Sequence, residues 1–76
     1  MRIDLAEMHR AADRVAARAE ATSVKEQAAL TAEIEFAKAN KQAVTGSHWK
    51  AAYVAGEKAR AARAVADALA EVASDA

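Results

Sequence analysis

The sequence predicts an all-α fold: a helical hairpin with a long first helix and a shorter return helix, two hairpins then pairing into an antiparallel four-helix bundle. Three observations carry this expectation. The 76 residues include no proline and are dominated by Ala, Glu, Lys, Arg and Gln, which lose least on entering a helix. Apolar positions recur seven apart, the repeat of helices that pack side by side. No segment alternates apolar and polar residues as a half-buried strand would.

The bundle follows from the composition. Apolar residues make up 54% of the chain, yet 25 of them are alanine, and Leu, Ile, Val and Phe together number only 12. A chain of this size buries only about 60% of the surface it exposes when unfolded, and alanine contributes little area to that burial. Stability is therefore expected to come from self-association, as a homodimer, or from a larger partner. The whole of 1–76 reads as one helical domain.

The first helix is expected over about 4–44. "DLAE" has the form of a capping box, with the Asp4 carboxylate placed to accept from backbone amides of the first turn. From there Met8, Val15, Thr22, Ala29, Phe36 and Ala43 form one row seven apart. A second row starts Leu5, Ala12, Ala19 and turns polar at Glu26, Glu33 and Asn40, while a third runs Ala16, Ser23, Leu30, Ala37, Val44. Such a drifting stripe suits a coiled-coil-like helix. Two readings stand at its middle. Ser23 and Glu26 form a second capping box, which argues for a break near Thr22. The heptad row crosses that point without a phase jump, which argues for one continuous helix about 60 Å long. Glu33 and Asn40 sit within the apolar arc, as register-fixing polar residues or as solvated ones.

The turn is expected at 45–47, with Gly46 in the left-handed position after the first helix and Ser47 capping the next. The return helix is expected over about 48–73. Ala51, Val54, Ala55, Ala62, Val65, Ala66, Leu69, Val72 and Ala73 share one side of it, the expected packing face. Lys58 lies within that face and must snorkel or pair with Glu26 or Glu33. Trp49, Tyr53, Gly56, Arg60 and Arg63 form a second stripe pointing nearly the opposite way. Trp, Tyr and Arg bring large rigid area with a polar handle, the residue types that dominate protein interfaces. This stripe is the candidate partner-binding site, its alternative a structural contact within the molecule or with a second copy. Arg10, Arg14 and Arg18 make a secondary basic ridge, flanked by Glu7, Asp13 and Glu20 and so a poor track for phosphates.

Other chemistries are disfavoured. There is no cysteine, which removes disulfides and thiolate chemistry. No Ser/His/Asp set or glycine-rich phosphate loop is present. His9 and Asp13 are four apart, but two ligands do not make a metal site. No metal or other cofactor and no enzymatic activity is expected. Eleven acidic residues balance eleven basic ones, which weakens the case for nucleic acid or a membrane surface, and the segment before Gly46 is too long for a helix-turn-helix. No apolar run reaches the roughly 18 residues of a membrane span and the start lacks a signal-peptide core, so a cytoplasmic setting in a bacterial host is expected.

The stretch "SHWKA" resembles the turn of small secreted WXG-type helical hairpins in placing Trp49 just ahead of the second helix. Ala51 stands where that family has glycine, and the resemblance spans about ten residues. The functional expectation rests instead on the stripe: a non-enzymatic protein-binding module, a small adaptor or inhibitor of the kind phages and mobile elements encode. The alternatives are a structural homo-oligomeric component and a nucleic-acid-binding helical protein.

Overall fold

A computed structural model describes residues 4–44 and 46–75, apart from the side chain of residue 47. Two helices, α1 (Leu5–Asn40) and α2 (Gly46–Asp75), pack along their length as a hairpin of 58 × 16 × 15 Å. No strand occurs among the described residues, and none of their helices is long and apolar enough to cross a membrane.

Local chemistry sets the limits of α1. The Asp4 carboxylate accepts from the amides of Ala6 at 2.9 Å and Glu7 at 3.3 Å, satisfying donors that have no partner within the helix. The helix then runs unbroken through Thr22 and Ser23, which overturns the alternative of a break there. Both hydroxyls are used without leaving the helix: Thr22 Oγ1 donates to the Arg18 carbonyl at 3.1 Å, and Ser23 Oγ accepts from Gln27 Nε2 at 3.2 Å. Ser23 is buried against α2, so its hydroxyl serves the helix interface rather than a cap.

The far end differs from the expected 44. α1 stops at Asn40, and the left-handed residue is Lys41 (φ 52°, ψ 42°), not Gly46. The Lys41 amide donates to the Lys38 carbonyl at 3.4 Å and the Gln42 amide to the Ala37 carbonyl at 2.9 Å. Those two bonds define a Schellman close, which satisfies the orphan carbonyls even though a lysine there costs about 1–2 kcal/mol of backbone strain. Gly46, free of that role, opens α2. The expected cap at Ser47 and the residue at 45 lie outside the described atoms.

The seam is built from small residues. On α1 it follows Leu5, His9, Ala12, Ala16, Ala19, Ser23, Glu26, Leu30, Glu33 and Ala37, in steps of four and three, all buried or half-buried. On α2 it follows Ala52, Gly56, Ala59, Arg63, Ala66, Ala70 and Ala73 with the same alternation. The second and third sequence rows therefore close the hairpin, and the row of Met8, Val15 and Phe36 lies outside. On α2 the expected face is corrected as well: Ala55, Ala62, Ala66, Leu69 and Ala73 do turn inward, but Ala51, Val54, Val65 and Val72 are exposed. The true face is rotated by most of one residue step, about 100°. A charge explains the choice. The valine row carries Lys58, which is exposed and reaches neither Glu26 nor Glu33, whereas the alanine row carries Arg63, which meets two acids on α1. Among the described residues the buried set is six alanines, Gly56 and Ser23, so the backbones approach closely and every large apolar side chain keeps some contact with solvent.

Candidate partner-binding groove

One flank of the hairpin is hollowed between residues 20–31 of α1 and 49–67 of α2. Glu20, Val24, Gln27, Leu30 and Thr31 of α1 form one wall; Trp49, Tyr53, Arg60, Arg63 and Asp67 of α2 form the other. Ala52, Gly56 and Ala59 make the floor between them. The groove consists of two adjoining hollows, about 340 Å³ near the turn and about 490 Å³ further along, which share Gln27, Gly56 and Arg60.

Trp49 and Tyr53, one helical turn apart, stack with ring centroids 5.6 Å apart and planes inclined by 17°. Both remain exposed, at 60% and 56%. Stacking restricts each ring's rotamers, so covering the pair would cost less entropy than ordering two free rings. Gly56 deepens the groove: where a side chain would begin, the neighbouring atoms are Arg60 Nη1 at 3.6 Å and Ser23 Oγ at 3.8 Å. Arg60 is exposed and pairs with Glu57 on its own helix, a contact weak enough in water to be exchanged for another carboxylate.

Arg63 is engaged differently. Its Nη2 and Nε donate to the two carboxylate oxygens of Glu20 at 2.7 and 3.0 Å, and its Nη1 donates to Asp13 at 2.6 Å. The fork ties α2 to α1 across the hairpin, with the arginine side chain one-third exposed. Hydrogen bonding from Arg63 holds the Asp13 and Glu20 carboxyls below the ordinary carboxylate range, and the two acids in turn raise Arg63 above its ordinary value.

The structure thus brings together all five residues of the sequence stripe, at the edge of the seam rather than opposite it. Gly56 and Arg63 belong to the seam itself, and Trp49, Tyr53 and Arg60 rim the groove. Arg10, Arg14 and Arg18 are exposed, line no part of the groove, and form no ion pair among the described residues. The α1 wall was missed from sequence, as were the acids that hold Arg63. Asp13, Glu20 and Gln27 stand seven apart, and that spacing was the available signal. At the turn end His48 Nε2 lies 3.8 Å from Glu33 Oε2. Among the described residues no three His, Cys, Asp or Glu side chains converge as metal ligands would.

Set against known protein families, curated proteins and solved structures, the chain matches none of them. The functional reading therefore rests on the groove and its surroundings.

Proposed function

We propose that this protein is a non-enzymatic protein-binding module, an adaptor or inhibitor that acts by covering part of a partner's surface. The observation that carries this reading is the stacked, exposed Trp49–Tyr53 pair at the head of a glycine-floored groove. A partner segment lies along the floor of small residues with its apolar side chains against the two rings, and Arg60 leaves Glu57 to meet an acidic group at the rim. Arg63 supports the wall through Glu20 and Asp13 rather than reaching outward, a narrower role than the sequence stripe implies. A cysteine-free chain rich in alanine and arginine suits the bacterial cytoplasm as the setting.

The test uses tagged wild type beside Trp49→Ala to capture a partner from host lysate. Wild type retains it, the variant loses it, and far-UV helicity and the thermal midpoint stay nearly unchanged because Trp49 is largely outside the seam. Unfolding of Trp49→Ala instead marks the rings as structural and ends the proposal. Nucleic acid is the weaker reading, since Glu20 and Asp67 stand in the groove walls where phosphates would have to pass.

A second reading has its own support. Met8, Val15, Phe36, Val54, Val65 and Val72 are all exposed on a hairpin whose interior is alanine. Exposed apolar residues in regular rows of this kind favour association, and pairing of two hairpins into an antiparallel four-helix bundle would cover them.

A further inference from the structure

We infer that a second copy of this chain docks on the outer side of α2, antiparallel, with Val54 facing the second copy's Val65. The inference deepens the self-association reading and is independent of the groove.

Ala51, Val54, Lys58, Ala61, Val65, Ala68 and Val72 alternate in steps of three and four along α2, a second heptad row beside the one that closes the hairpin. All seven are exposed, and none lines the groove. The row lies on the side of α2 opposite the residues that close the hairpin, so it faces away from α1. The row holds one charge and no acid. It runs nearly the whole of α2, whose 30 residues span about 45 Å.

Charge fixes the direction. Up to Arg63, α2 carries Lys50, Lys58, Arg60 and Arg63 against the single acid Glu57; beyond it come Asp67, Glu71 and Asp75 with no base. Parallel pairing sets like halves together, and antiparallel pairing sets basic against acidic, so the occupant with complementary charge is α2 itself. Shape then fixes the register. In antiparallel coiled coils the two positions of the heptad meet each other across the seam, which here places valine on valine (54 on 65) and alanine on alanine (51 on 68). In that register Lys58 lies over Ala61 of the second copy, small enough for its stem to pass while the amine stays in water. Lys50 comes beside Glu71 of the second copy.

Light scattering and sedimentation from 1 μM to 500 μM measure the association. Wild type, of 8.0 kDa per chain, is expected to reach a dimer of about twice that mass, and Val65→Glu to weaken association at least tenfold with unchanged helicity, since the side chain it replaces is already exposed. The absence of cysteine supplies a second readout. Val54→Cys and Val65→Cys, mixed and oxidised, are expected to give a disulfide heterodimer, and neither links to itself, because each lies about 16 Å along the axis from its own copy. Wild type that remains monomeric throughout overturns self-association and the docking face together. A dimer that survives Val65→Glu, or a Val54→Cys chain that links to itself, leaves self-association standing and overturns this face and register.

Discussion

Along α2 two heptad rows run side by side. The inner one, from Ala52 to Ala73, is closed against α1, and the outer one, from Ala51 to Val72, faces away from it. Each contains a single cation. The inner row's Arg63 is matched by Asp13 and Glu20, whereas the outer row's Lys58 has no ion pair among the described residues. The difference shows what selects a packing face in a chain this short. Apolar bulk favours the valine row, yet the alanine row wins. It admits close approach of the backbones, and its one charge is answered from the opposing helix. Burying an unmatched lysine would cost more than the additional area of three valines returns.

The comparison is broken most severely by adding volume to the closed side. Ala66 is 1% exposed, and Ala66→Leu must push the helices apart or force strained rotamers, a loss of about 1–3 kcal/mol in thermal or urea unfolding. Val65→Leu, one residue away on the open side, is expected to leave the unfolding of dilute protein within about 0.5 kcal/mol of wild type. If the two variants melt alike, the assignment of inner and outer rows is wrong.

A smaller effect, of opposite sign, is expected at Gly56, which is buried on the same inner row. A methyl there meets its nearest neighbours at 3.6 to 4.0 Å, ordinary van der Waals separation. Alanine also forms helix better than glycine, so Gly56→Ala is expected to stabilise the hairpin by about 0.5–1 kcal/mol. The same methyl raises the floor of the groove. Stabilisation combined with weaker partner capture would sharpen the division of labour between seam and groove; stabilisation with undiminished capture would place the binding surface elsewhere.

Much of the fold was legible in the residues and one part was not. The two helices, their antiparallel return and the Asp4 cap follow from composition, heptad spacing and a capping motif, all of which act locally. The packing face was misplaced because periodicity weighted by hydrophobicity favours Val54, Val65 and Val72, and the deciding term is long-range: whether Arg63 or Lys58 finds acids on the other helix. The end of α1 was misplaced for a related reason. Glycine is the residue expected in a left-handed close, but the hydrogen bonds of the Lys41 and Gln42 amides outweigh the strain at lysine. The candidate site was half legible. Trp49, Tyr53, Gly56, Arg60 and Arg63 were visible as a stripe on one helix, but a groove has two walls, and the wall of Glu20, Val24, Gln27 and Thr31 belongs to the opposing helix.

The smallest effect tests the answered charge itself. Asp13 and Glu20 are held below their ordinary values in the folded chain by hydrogen bonds from Arg63, so the folded state favours their ionised forms more than the unfolded state does. Their contribution is then complete above the unfolded values, about 3.9 for aspartate and 4.3 for glutamate, and is lost as the pH falls through the lower folded ones. Arg63 is raised from a value already far above this range, so it stays charged throughout and adds no slope of its own. Wild type is expected to hold its thermal midpoint down to about pH 5 and to lose it progressively below about pH 4. Other carboxylates titrate there too, so the informative quantity is the difference from Arg63→Gln, in which Asp13 and Glu20 lose the group that depresses them. That variant should be less stable at neutral pH, and its gap from wild type should narrow on acidification. A gap that stays constant from pH 7 to pH 2 would mean that the arginine acts through its packed stem alone and that the fork to the two acids contributes nothing to closing the inner row.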